Sequence, residues 1–216
     1  MSEDRRAFFR GLVRSAAEMA GPPAAPPAET APSGLSGEDV DRYSRQLVLP
    51  EWSEAAQLAL REASVLVVGA GALGSPVATY LAGAGVGRVG IVDSDAVEIS
   101  NLHRQPLHFT PDVGVAKAES AAMKLRYLNP EVLVEPYQAR FAPPMLEGAD
   151  LVIDCTDSFA TRYEVNAACC AARLPLIEGG VVGLSGLVMA IRPGESACYR
   201  CAFPEPPPHS SARRRA

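Results

Sequence analysis

Val65-Leu-Val-Val-Gly69-Ala-Gly71-Ala-Leu-Gly74-Ser75 is an apolar, β-branched run that meets a set of glycines and passes straight into a helix-forming segment. The pattern predicts a buried parallel strand, a tight loop and a helix N-terminus. The free amides and positive dipole end of such a helix attract phosphate. In this reading Gly69 permits the turn, Gly71 lets a phosphate reach the backbone, and Gly74 lets helix and strand pack closely. Alone, the motif suits NAD, FAD, ATP or a ligand-free strand-to-helix turn.

The residues that follow narrow the choice. A helix over about 73–84 stops at Gly85-Val-Gly87. Arg88-Val-Gly-Ile-Val-Asp93 is a second strand, and Asp93 ends it, 19 residues after Gly74. A carboxylate at that place accepts hydrogen bonds from ribose hydroxyls, or it simply closes a turn with Asp95. A plain dehydrogenase would then enter a helix. Here a polar loop intervenes with Asn101, Arg104 and Gln105, and Lys117 opens the next helix, which runs to about Leu128. Cations beside a nucleotide site suit a triphosphate, whose charge must be offset while a bond to phosphorus breaks. A dinucleotide needs no such cluster.

Val132–Tyr137 alternates as a third strand, a short helix is expected at 144–148, and Asp150–Asp157 reads as a fourth parallel strand. Asp157 stands at its carboxyl end, where open α/β sheets bind ligands. It reads as a Mg²⁺ ligand beside phosphates, as the N-cap of a helix over 158–173, or as both. Strands at Pro175–Glu178 and Leu187–Ile191 are joined by a Gly-rich turn at Gly179, Gly180 and Gly183. The fold class expected is α/β: a Rossmann-like open sheet, mostly parallel, with helices on both faces and the nucleotide site at the carboxyl edge of the strands.

Outside this block, residues 1–20 read as a poorly ordered arm or a short amphipathic helix, either docked on the body or held for a membrane surface or partner. Residues 21–35, with Pro22, Pro23, Pro26, Pro27 and Pro32, read as an extended linker. Ser36 is placed to cap a helix that leads into Arg42-Tyr-Ser-Arg45-Gln46, whose cations serve either a solvated face or an anionic ligand. A second helix is expected over 53–62. The main domain spans 36–205, and 206–216 is a basic tail expected to be disordered. The length of 216 residues and 48% hydrophobic content suit one α/β domain. A net charge of −5 argues against general nucleic-acid binding, and no apolar run reaches membrane-spanning length. Five cysteines, an odd number, do not form a disulfide framework, so a reducing cytoplasm is expected. Cys198-x-x-Cys201 is half of a tetrahedral zinc site, with His209 as a candidate third ligand.

Taken together, Arg42-Tyr-Ser-Arg45-Gln46, Gly69-Ala-Gly71-Ala72-Leu-Gly74-Ser75, Asp93-x-Asp95-x-Val97-x-x-Ser100-Asn101-Leu102-x-Arg104-Gln105, Gly114-x-x-Lys117, Asp154-Cys-Thr-Asp157 and Cys198-Tyr-Arg-Cys201 resemble the ThiF/MoeB/HesA family. These are the prokaryotic relatives of ubiquitin-activating enzymes. The resemblance covers about residues 38–205 with the motifs in order. It implies ATP-dependent adenylation of the C-terminal Gly-Gly carboxylate of a ubiquitin-like sulfur-carrier protein for molybdopterin or thiamine synthesis, by a homodimer. It further implies that Asp93 holds the ribose, that Asn101, Arg104 and Lys117 hold the phosphates, and that Asp157 coordinates Mg²⁺. Arg45 would be the arginine supplied to the partner's ATP, and Cys198 and Cys201 the first zinc pair. Gly69, Gly71, Ala72, Gly74 and Gln105 complete the nucleotide-binding set.

Two departures from the family stand out. Ala72 replaces a frequent glycine, and the chain runs Pro207-Pro-His-Ser-Ser-Ala-Arg213-Arg-Arg-Ala216 where the family continues with a second cysteine pair. That ending reads as a truncated or frame-shifted product, with an exposed sheet edge as its consequence. The alternative function is therefore a catalytically incomplete remnant that binds nucleotide or a partner. An NAD-dependent oxidoreductase is disfavoured by Arg104 and Lys117.

Overall fold

The computed structural model describes residues 34–205. The expectations for 1–20, for most of 21–35 and for 206–216, including His209, lie outside the described residues. Leu35, at the end of the stretch read as linker, is buried.

Helix α1 spans Gly37–Leu47. Its first turn is closed by a reciprocal cap: the Asp39 amide donates to Ser36 Oγ at 3.1 Å, and the Ser36 amide to Asp39 Oδ2 at 2.7 Å. The Arg61 guanidinium beside Asp39 holds its carboxyl down at about 2. Helix α2 (Glu54–Glu62) is capped by Ser53. Next come β1 (Ser64–Val68), α3 (Gly74–Ala84), β2 (Arg88–Val92), α4 (Lys117–Leu128), β3 (Leu133–Tyr137), β4 (Leu151–Asp154), α5 (Phe159–Ala172), β5 (Leu176–Val182), β6 (Ser185–Ile191) and a single-turn α6 (Tyr199–Ala202). Gly85 ends α3 at φ 89°, and Tyr43 of α1 packs where its side chain would be.

One six-stranded sheet has the order β3-β2-β1-β4-β5-β6. The first five strands are parallel and β6 returns antiparallel, pairing Leu176 with Ile191 through to Val182 with Ser185. Strand β1 is buried along its length. One core cluster, with Val67, Ile91 and Leu125, packs α3 and α4 on one face. The other, with Val152, Val165 and Tyr199, packs α5 and α6. Each such aliphatic side chain contributes about 1.5–3 kcal/mol by leaving water.

Three expectations need correction. Gly179 and Gly180 lie inside β5 rather than in a turn, and the chain reverses at Gly183-Leu184. Gly180 is small because the Arg162 guanidinium lies against it, 2.6 Å from where a Cβ would stand. The helix expected at 144–148 is a 3₁₀ turn over Pro143–Leu146, since two prolines remove the amides an α-helix would use. Strand β4 stops at Asp154, because the Thr156 amide and hydroxyl turn back to Asp154 Oδ1 at 2.8 and 2.7 Å. At the sheet edge, Val181, Val182, Leu184 and Val188 are exposed. Among the described residues no helix is long and apolar enough to cross a membrane.

Candidate active site

Connections leave β1 toward β2 on one side, and β4 lies on the other, so the crevice between the loops after β1 and β4 is the topological switch point. Gly69, at φ 96°, begins the first loop. A Cβ there would stand 3.1 Å from the Cys155 carbonyl, so the loops touch. A Cβ on Gly74 would stand 1.7 Å from the Gly69 carbonyl oxygen, whereas at Gly71 the nearest atom is Gln105 Nε2 at 3.7 Å. Gly69 and Gly74 are therefore required by the fold, and Gly71 leaves space over the backbone. Ala72 is exposed, so its methyl group meets solvent.

Asp93 follows β2 and ties two loops together. Its Oδ2 accepts from the Ala70 amide and its Oδ1 from the Asp95 amide, both at 2.8 Å. Each oxygen keeps a lone pair for a ribose hydroxyl. Lys117 stands at the first position of α4, buried, with Nζ 3.1 Å from Asp95 Oδ2. A cation at a helix N-terminus opposes the macrodipole, which favours an anion there. Among the described residues neither α3 nor α4 has a side-chain cap; the Ser75 and Lys117 amides donate to the Gly71 and Asp95 carbonyls, while the Gly74, Ala118 and Glu119 amides have no backbone acceptor and are left for an anion.

Asn101 is buried in a 3₁₀ turn (Ile99–Asn101), and its Oδ1 accepts from the Glu98 amide. Gln105 is also buried, and its Oε1 has no partner among the described residues. Arg104 is exposed, one Nη donating to the Ser100 carbonyl at 2.8 Å. The contacts thus join the glycine loop, Asp93, Asp95 and Lys117 into one cluster facing the β4 loop.

Asp157 lies in that β4 loop, exposed. It is not the cap of α5: Ser158 Oγ accepts from the Thr161 amide instead. Its carboxylate has no hydrogen-bond partner among the described residues, which fits a metal ligand. Arg45, exposed in the last turn of α1, has no contact with this cluster. Nor do Cys198, just before α6, and Cys201 within it, whose sulfurs lie 3.6 Å apart. No group of three or more His, Cys, Asp or Glu among the described residues can hold a metal ion, so a closed zinc site does not fit them.

Beneath the β4 loop lies an ionic group that periodicity did not reveal. Arg162 of α5 donates to Glu178 Oε1 at 2.8 Å and to the Thr156 carbonyl, while Asp154 takes the Thr156 amide. Asp154 and Glu178 are fully buried, and among the described residues Asp154 Oδ2 and Glu178 Oε2 each lack a donor. One proton between two carboxyls satisfies both. Burial, with Asp154 beside it, pushes Glu178 up to about 8, and burial raises Asp154 as well. The only sequence signal was a charged residue closing the apolar run Leu176-Ile177.

This group sets a pH dependence of stability. The unfolded Glu178 carboxyl ionises near 4.5 and the folded one near 8, so its contribution is lost as pH rises through that window. Urea denaturation should show wild-type stability falling by about 3 kcal/mol more between pH 5 and 8 than that of Glu178→Gln, which cannot ionise. Equal slopes would refute the shared proton.

A separate concavity of about 320 Å³ lies between the outer faces of α3 and α4, lined by Pro76, Tyr80, Leu107 and Phe109. Its walls are apolar, and its one lysine, Lys124, is bound to Asp112 at 2.5 Å, so it does not suit a nucleotide.

The ThiF family model matches residues 43–215 of the chain. The Anopheles gambiae protein named adenylyltransferase and sulfurtransferase MOCS3 is 46% identical over 181 residues, 82% of this chain and 41% of that protein. Sus scrofa MOCS3 is 48% identical over 82% of this chain and 40% of its own length. Adenylyltransferase and sulfurtransferase uba4 of Emericella nidulans is 46% identical over 82% and 39%. The chain thus spans about 40% of the length of these relatives. Among solved structures, E. coli MccB with AMPCPP and MccA superposes with a TM-score of 0.69 at 29% identity, covering 80% of this chain and 55% of that one. PaaA superposes at 0.65 with 27% identity, over 84% and 58%.

Proposed function

Because the chain belongs to the ThiF family, we propose that it adenylates the C-terminal Gly-Gly carboxylate of a ubiquitin-like sulfur-carrier protein, using ATP. The observation that carries this reading is Lys117, buried at an uncapped helix N-terminus beside the glycine loop. The names of the MOCS3 and uba4 relatives support it, as does the likeness to MccB, solved with a nucleotide analogue and MccA.

In this mechanism a carrier carboxylate oxygen attacks the α-phosphorus of ATP. The new O–P bond forms as the bond to the β-phosphate oxygen breaks, and pyrophosphate leaves with the electron pair. The attacking carboxylate is ionised at neutral pH, so no general base is required. Catalysis is then positioning and charge stabilisation. The amides of Gly71 and Gly74, and those of Ala118 and Glu119 in the first turn of α4, receive the phosphates, with Asn101 and Gln105 beside them. Lys117 and Arg104 offset charge in the transition state, and Asp93 orients the ribose. Asp157 would hold Mg²⁺, which supplies further neutralisation of the phosphates when bound. Arg45, exposed on α1 and without a side-chain partner among the described residues, is suited to reach the nucleotide of a second subunit in a homodimer. The five free cysteines support a reducing, cytoplasmic setting.

ATP–pyrophosphate exchange by the 216-residue chain, with Mg²⁺ and a Gly-Gly-terminated carrier, tests the proposal. Carrier-dependent exchange is expected, and Asp157→Ala should reduce it by about 10²-fold or more. A folded chain that binds ATP yet exchanges nothing would instead be a binding remnant.

A further inference from the structure

A buried polar network that starts outside the nucleotide contacts described above ends on the glycine loop. His108 is 2% exposed and stands between two elements. Its Nε2 lies 2.9 Å from the Ala70 carbonyl oxygen, and its Nδ1 lies 2.9 Å from Ser120 Oγ on α4. A carbonyl can only accept, so Nε2 carries the proton. Neutral imidazole then accepts at Nδ1 from the Ser120 hydroxyl. That hydroxyl itself accepts from Lys124 Nζ at 2.9 Å, and Lys124 is paired with Asp112. Every donor in the series points the same way: Lys124 to Ser120, Ser120 to His108, His108 to Ala70.

The direction matters because of peptide geometry. The Ala70–Gly71 bond is trans, so the Ala70 carbonyl and the Gly71 amide point to opposite sides of one plane. Ala70 is held by three bonds. Its amide donates to Asp93, and its carbonyl accepts from His108 and, at 3.2 Å, from Ser75 Oγ. With the carbonyl drawn inward, the Gly71 amide must face outward, and among the described residues it has no backbone partner.

We propose that His108 is a positioning residue of the nucleotide site: through the Ala70 carbonyl it aims the Gly71 N–H at the phosphates of the bound nucleotide, with Ser120 fixing its tautomer. This rests on the nucleotide reading above. Burial keeps the imidazole below its usual range, helped by Lys124 and Lys117 nearby, against the opposing pull of the Ala70 hydrogen bond and the charge of Asp112. Its neutral form therefore persists where the enzyme would work.

The test compares ATP with adenosine by calorimetry on the full chain. His108→Leu should weaken ATP about tenfold while leaving adenosine within about twofold, because only the phosphates use the Gly71 amide. His108→Gln places an amide donor near the position of Nε2 and should recover ATP binding to within about threefold. Ser120→Ala, a smaller change, should weaken ATP severalfold even if His108→Leu does not fold. Without any nucleotide, imidazole ¹⁵N shifts of the wild type should report the Nε2–H tautomer. Equal losses for ATP and adenosine, no loss of ATP, or the opposite tautomer would each overturn the positioning role. A wild type that binds neither ligand would overturn the nucleotide reading itself.

Discussion

Gly74→Ala is expected to destabilise the domain by about 3 kcal/mol or more and to remove nucleotide binding with it. The added methyl would stand 1.7 Å from the Gly69 carbonyl oxygen and 2.8 Å from its carbon. Both are backbone atoms, so no rotamer change relieves the overlap. The loop would have to move away from α3. Gly69 is itself held by its amide bond to the Val92 carbonyl at 2.7 Å and by the Cys155 backbone against it. Displacing it disturbs β2 and the β4 loop together. Thermal denaturation and ATP binding measure the two effects. By contrast, Gly71→Ala has no close contact to make within the protein, and its loss should fall on ATP binding with the melting temperature nearly unchanged. A stable Gly74→Ala protein with wild-type ATP affinity would show that the close packing of loop and helix is not required.

Lys117→Met should lower carrier-dependent ATP–pyrophosphate exchange by about 10²–10³-fold, the loss typical when one positioned charge is removed from a transition state. Stability should change little. The partner of Lys117 is Asp95, whose side chain is 68% exposed, and an ion pair with so wet a member contributes less than about 1 kcal/mol. Methionine keeps the aliphatic stem, and removing a cation from a helix N-terminus relieves an unfavourable dipole interaction. Denaturation midpoints beside exchange rates separate these roles. A large fall in stability with full exchange would make Lys117 a structural lysine and would remove the observation that supports adenylation.

Most of the framework could be read along the chain because its determinants are local. Ser36 and Ser53 cap helices with their own neighbours, Gly85 stops α3 with a positive φ, and Val65–Val68 announces a buried strand by composition. Gly69 and Gly74 were legible for the same reason, as their constraint acts across five residues. Of the candidate site, the sequence pointed to Asp93 and Lys117, which the structure brings together through Asp95 beside the glycine loop. The capping role considered for Asp157 was not, since Ser158 next to it competes for the same amides with equal local merit.

The sequence by itself determined the strand and helix order, the glycine turn between β1 and α3, and the family motifs. Only the tertiary structure decided which buried charges meet. Arg162 and Glu178 are brought together by the register of α5 on β5, and His108 reaches Ala70 across 38 residues of chain. Such pairings have no period and no local conformational signature. Their energies depend on burial and on distances of about 3 Å, which exist only after the sheet has set the positions of its loops.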